Sequence, residues 1–185
     1  VRPLPGDAPA RLVRGLPECV AGEEMGRYDG FGWWPDSRHV LVEAFGSSAE
    51  PVWHLSDPAK PEFPAVPRRY PRALTSNARV RLSLLDLAPD SSGRCHPGEP
   101  SDVAWDHEGF EYLAAVSWPR GRNAVLLVQN RLPSHDQVPA VRPDGSTTVP
   151  EGHSHPPWPD LAGGTPATPR DRTLVPPLNS LERDP

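Results

Sequence analysis

Two twelve-residue segments of this chain match each other: WPDSRHVLVEAF from Trp34 and WPRGRNAVLLVQ from Trp118. Trp34 and Trp118, Pro35 and Pro119, Ser37 and Gly121, and Arg38 and Arg122 coincide, and the aliphatic runs Val40–Val42 and Ala124–Leu126 then fall together. Each segment is a tight proline-containing turn feeding a β-rich strand, which is a hairpin signal. The copies start 84 residues apart, or two intervals of 42. A recurrence of about 40–45 residues is the blade spacing of a β-propeller, whose sheets cannot bury their faces alone. Chance and a shared hairpin type without a true period are the competing explanations.

Other strand candidates lie between the copies. PVWHL (51–55) and EYLAAVSW (111–118) are rich in β-formers, and ARVRLSLLDL (78–87) alternates, with Val80, Leu82 and Leu84 set against Arg79, Arg81 and Ser83. APDSSGRCHPGEPSD (88–102) is turn and loop material. Sustained helical amphipathicity is missing throughout, so the class is all-β. From Pro133 the periodicity stops and a proline falls every few positions. The chain has 27 prolines, about three times the usual share, and 12 of them follow residue 132. Such a segment buries too little to offset its ordering entropy, so 133–185 is expected to be a disordered tail. The organisation expected is a flank over 1–15, a partial propeller of two to three blades over 16–132, and that tail.

Composition excludes several functions. With 19 basic against 24 acidic residues and no basic cluster, nucleic acid is not an expected partner. The longest uninterrupted aliphatic run, Ala124 to Val128, is far too short to span a bilayer. The first 15 residues hold no apolar signal core, and the start at Val1 reads as part of something longer. A soluble chain is expected, with the cytoplasm favoured. Cys19 and Cys95 are read as free thiols rather than a disulfide framework.

Several short motifs fail on chemistry. His153 and His155 lack a carboxylate or thiol to complete a metal site, so no metal or cofactor is expected. Ser134, His135 and Asp136 are consecutive and cannot form the relay of a hydrolase triad, and no G-x-S-x-G elbow occurs. PPWP and VPPL read as spacer rather than docking motifs. The adjacent acids Glu23 and Glu24 stand apart, because two neighbouring carboxylates can hold an ammonium group through charge-assisted hydrogen bonds. Their bland reading is a solvated acidic pair in a short helical turn.

Taken together, GLPECVAGEEMGRYDGFGWWPDSRHVLVEAF, RRYPRALTSNARVRLSLLDL and EYLAAVSWPRGRNAVLLVQNR resemble the N-terminal propeller of the dipeptidyl peptidase IV family of serine exopeptidases. The resemblance covers about residues 16–132, and its most specific parts are the Glu pair shortly before a Trp doublet and the later RYPRA…N segment. It implies that Glu23 and Glu24 lie on a short helical stretch and grip the free α-amino group of a peptide substrate. It also implies an α/β-hydrolase domain whose Ser-Asp-His triad releases N-terminal dipeptides. This chain lacks that triad and by itself is expected to be inactive. A non-catalytic propeller fragment serving as a binding module is the alternative. The chain departs from the family pattern in three ways. Gly32 precedes Trp33 and no Ser precedes Pro35, Cys19 stands where an aromatic is usual, and the likeness fades after Arg131.

Overall fold

The computed structural model describes residues 12–118, 123–132, 134–148 and 152–154. The longest ladder joins two eight-residue strands, β3 (His39–Gly46) and β6 (Arg79–Asp86), antiparallel from His39↔Asp86 to Gly46↔Arg79. Val40, Leu41 and Ala44 of β3 and Val80, Leu82 and Leu84 of β6 are buried, as their β-branched and aliphatic character requires. Two short strands, β1 (Val13–Arg14) and β2 (Phe31–Trp33), lie end to end along the free edge of β3, separated by the helix α1 (Cys19–Glu23). On the far side, β7 (Ser101–Asp102) extends β6. The first sheet is thus a four-ribbon antiparallel meander whose first ribbon is interrupted.

Between β3 and β6 the chain runs out into a separate hairpin, β4 (Val52–Leu55) and β5 (Val66–Arg69), with Val52 opposite Arg69 and Leu55 opposite Val66. All eight of its strand residues are exposed. Arg69 ties its root to the segment leading out of β3 by donating to the Ser48 and Glu50 carbonyls.

The second sheet repeats the meander. It runs from β8 (Tyr112–Ser117) to β9 (Val125–Gln129). Next comes a broken third ribbon of β10 (His135–Gln137) and β11 (Ala140–Val141), then a broken fourth of β12 (Thr147–Thr148) and β13 (Gly152–Ser154). Every residue of β9 is buried, because both of its faces are covered. One face joins Leu126 and Val128 to Trp34, Leu41, Leu82 and Leu84 of the first sheet in a shared core. The other gathers Ala114, Val125, Leu127 and Val138. Two facing four-ribbon sheets that do not close on themselves make a partial β-propeller of two blades.

Two expectations need correction. The fold does not end at residue 132, since β10 to β13 carry the second blade to Ser154, and Asp136, Val138 and Val141 are at most 1% exposed. Two of the prolines that suggested disorder, Pro139 and Pro143, lie between strands of this blade. Buried Pro139 separates β10 from β11 and still accepts from the Leu126 amide, while Pro143 sits in a turn closed by Gly145 N–H onto the Arg142 carbonyl, with Gly145 at φ +83°. The tail expected over 155–185, with PPWP, VPPL and His155, lies outside the described residues.

The second correction concerns the period. The matching segments belong to consecutive blades, so the spacing is one long interval, stretched by the β4–β5 hairpin, and not two of 42. The equivalence itself holds as far as the chain is described. Trp34 and Trp118 each follow the last paired residue of a first ribbon, Trp33 or Ser117, and both pack into the shared core. Ser37, aligned with Gly121, is left-handed at φ +58°, a conformation that glycine adopts readily. No helix among the described residues is long and apolar enough to cross a membrane.

Candidate functional site

The interruption of the first ribbon builds the site. β1 and β2 both pair with β3, and an isolated bridge joins Gly15 to Gly30, so residues 16–29 leave the sheet and return at one point. Glu43 of β3 faces that junction. Its carbonyl accepts from Gly15 N–H at 2.9 Å and its N–H donates to the Gly30 carbonyl at 2.7 Å. Gly15 turns the chain outward at φ +74°. At Gly30 a Cβ would fall 2.3–2.5 Å from three backbone atoms of Leu16, so only glycine fits the crossing.

Within the excursion, Glu18 caps α1. Its carboxylate accepts from the Val20 and Ala21 amides at 2.7 and 2.8 Å, satisfying donors that a helix start leaves open. The Glu18 amide in turn donates to Glu43 Oε1 at 3.0 Å. The helix ends at Glu23, with Glu24 as its C-cap. The chain then reverses through left-handed Gly26 (φ +65°), and the Arg27 amide returns to the Ala21 carbonyl.

Arg27 closes the loop onto both blades. Its Nη1 donates to Glu43 Oε2 at 2.5 Å and to the Asp29 carbonyl at 3.1 Å, while Nε and Nη2 both donate to the Leu113 carbonyl of β8 at 3.2 and 3.0 Å. Glu18 and Glu43 are 3% and 1% exposed; Arg27 bonds the Glu43 carboxylate directly and acts on the Glu18 carboxylate only through its charge. Burial dominates and pushes both carboxyl pKa values up, opposed at Glu18 chiefly by the amides it caps and at Glu43 chiefly by Arg27.

Glu23 is the last residue of this short helix and Glu24 its C-cap, beside the free edge of the first blade. Both are exposed, and among the described residues neither carboxylate is hydrogen-bonded or ion-paired. They stand at the end of α1 where carbonyl oxygens point outward, and the last turn carries no basic residue. Negative charge there opposes the helix dipole. The arrangement is suited to accept a cation.

Beside the excursion, a cleft of about 460 Å³ opens between the free edges of the two blades, lined by Met25, Arg27, Tyr28, Phe31, Gly32 and Trp118 among others. Gly32 of this lining lies against the second blade. The Trp118 ring lies so close that a Cβ at residue 32 would fall 1.9 Å from Cη2. The extra glycine before the Trp doublet is the seat of the second blade's tryptophan.

The other candidates separate. Ser134 Oγ lies 2.9 Å from His135 Nδ1, but Asp136 is buried while His135 is exposed, so the three do not form a relay. Among the described residues no group of three or more His, Cys, Asp or Glu could hold a metal. Cys19 is half-buried and Cys95 exposed, both as free thiols. Sequence reasoning missed Glu18, Arg27 and Glu43. The available signal was Glu43 itself, a carboxylate amid an apolar strand, which demands a buried partner.

A family model described as the dipeptidyl peptidase IV (DPP IV) N-terminal region matches residues 4–162. Dipeptidyl peptidase 8 of Mus musculus and that of Homo sapiens are each 25% identical over 146 residues, covering 70% of this chain and 16% of theirs. The crystal structure of Porphyromonas gingivalis dipeptidyl peptidase 4 superposes with a TM-score of 0.62 at 18% identity, over 78% of this chain and 20% of that one. That likeness is one of fold. The chain spans a fifth or less of the length of each of these relatives.

Proposed function

The chain belongs to the dipeptidyl peptidase IV N-terminal region family, and on that premise we propose that it is the substrate-recognition part of a serine exopeptidase that releases N-terminal dipeptides. Glu23 and Glu24 hold the protonated α-amine of the peptide. An ammonium offers three N–H donors, and two adjacent carboxylates take them as charge-assisted bonds. Anchoring the amine fixes how far the chain reaches toward a nucleophile, so cleavage is measured from the N-terminus. The hydrolysis itself belongs to an α/β-hydrolase domain of the full-length protein.

The observation that carries this reading is a pair of carboxylates without a partner among the described residues, at the electronegative end of a helix that is tied at both ends. A solvated acidic turn needs no such anchoring. In the full-length protein, Glu24→Gln keeps the size and one acceptor but removes the charge. Once a bound peptide covers the pair, loss of one member of a buried, hydrogen-bonded charge pair costs about 2–5 kcal/mol. At about 1.4 kcal/mol per tenfold, kcat/KM for an Xaa-Pro reporter with a free amine falls by roughly 30-fold to several thousand-fold. The N-acetylated reporter is a poor substrate from the start and loses little more. Equal loss on both reporters would make the pair structural. Binding of free-amine peptides without any triad-dependent cleavage would favour the binding-module alternative.

A further inference from the structure

We propose that Arg27 is a positioning residue for Glu23 and Glu24, fixing the place of their carboxylates relative to both blades. The inference rests on the reading of the pair as an amine site and adds the element that makes its geometry specific.

A five-residue helix does not hold itself, since helices shorter than about 12 residues are marginal without outside support. The support of α1 is one continuous polar chain. It runs from the Leu113 carbonyl on the second blade to the Arg27 guanidinium, on to the Glu43 carboxylate on the first blade, then to the Glu18 amide. The Glu18 carboxylate completes it at the amides of Val20 and Ala21. The other end of the helix is tied by the Arg27 amide on the Ala21 carbonyl. Glu23 and Glu24 fall between these two attachments, and Arg27 takes part in both.

Charge balance alone does not explain the arrangement. Neutralising Glu43 needs one donor, whereas Arg27 also commits Nε and Nη2 to a single carbonyl of β8. That use demands the planar fork of a guanidinium, which a lysine ammonium cannot reproduce. The side chain is 11% exposed, so its bonds are made with little competition from water. Moving Leu113 relative to Glu43 would therefore move the pair, and the pair reports the spacing of the blades.

The test uses the full-length protein, an Ala-Pro reporter with a free amine and its N-acetylated counterpart. Arg27→Met is expected to lower kcat/KM for the free-amine reporter about ten- to hundredfold, mainly through KM, and to leave the acetylated reporter within about twofold. Arg27→Lys restores only part of the loss. In a Glu24→Gln background, Arg27→Met adds less than about twofold, because the group it positions has already lost its charge. Equal losses on both reporters, full rescue by Arg27→Lys, or losses that multiply in the double variant would each overturn the proposal. If Glu24→Gln itself leaves the preference for a free amine intact, the amine-site reading fails first, and the proposal with it. Hydrogen exchange supplies a readout independent of activity and covers poor folding of Arg27→Met. In Arg27→Lys the Glu24 and residue-27 amides should exchange at least about tenfold faster, while the β3–β6 ladder keeps its protection. Uniform acceleration would make Arg27 a general stabiliser and overturn the proposal.

Discussion

Replacing Gly30 by alanine tests whether the excursion leaves and re-enters the sheet at a single crowded point. The added Cβ would lie 2.3 Å from the Leu16 carbonyl carbon, 2.4 Å from its nitrogen and 2.5 Å from its oxygen. All three are backbone atoms, so no side chain can swing away, and relief requires the two limbs to part by about 1 Å. Overpacking of this kind costs about 1–3 kcal/mol. Parting the limbs also strains the Glu43–Gly30 and Gly15–Glu43 hydrogen bonds, each with a net worth of about 1 kcal/mol. The sum is roughly 2–5 kcal/mol, a large part of a typical stability of about 5–15 kcal/mol. Gly15→Ala is the control, since no atom stands within 4 Å of its would-be Cβ and only the left-handed φ of +74° opposes it, at about 1–2 kcal/mol. Denaturant midpoints of the two variants, compared in the full-length protein, decide the matter. Gly30→Ala should be clearly the more damaging, and a cost equal to or below that of Gly15→Ala would refute the crowded junction.

The remaining expectations concern other parts of the same two blades. Gly32→Ala should push the Trp118 ring off its seat, costing about 1–3 kcal/mol and shifting tryptophan emission; unchanged emission and stability would show that the ring does not rest there. The Asp86 carboxyl, paired with Arg38 at the end of the β3–β6 ladder, should titrate at about 2 by NMR, and Arg38→Gln should raise it. Its pKa is depressed on folding, so what the pair contributes is present above pH 3.8, the ordinary value, and is lost as pH falls through about 2. An Asp86 titration unaffected by Arg38→Gln would mean that the pair is not formed in solution.

What the sequence revealed and what it hid differ in range. The long strands were legible because their pattern is local: Val80, Leu82 and Leu84 are buried where the alternation put them. Ser83 is the exception, buried on the other face and donating to Asp102. The turn at Trp34 was legible for the same reason, closed by the Ser37 amide on the Trp34 carbonyl. The end of the second blade was hidden because its strands are two or three residues long, too short to show a period, and are punctuated by Pro139 and Pro143. At the site, Glu23 and Glu24 came from resemblance, and the helix beneath them is present. The Arg27–Glu43–Glu18 chain was not legible, since it joins positions 16, 25 and 86 residues apart and no local rule relates them.

The β4–β5 hairpin bears on how fast the first blade can form. Pairing Gly46 with Arg79 requires the chain to close a loop over residues 47–78. Closure becomes less probable as a loop lengthens, by about 0.6 kcal/mol for each doubling. The hairpin spans residues 52–69, and once zipped it brings Val52 beside Arg69, so roughly half of that loop no longer has to be searched. Hairpins form in about 1–10 μs, ahead of most long-range pairing. An insertion that looks like a detour thus shortens the search for the central ladder, making its closure about threefold more probable at the moment of encounter.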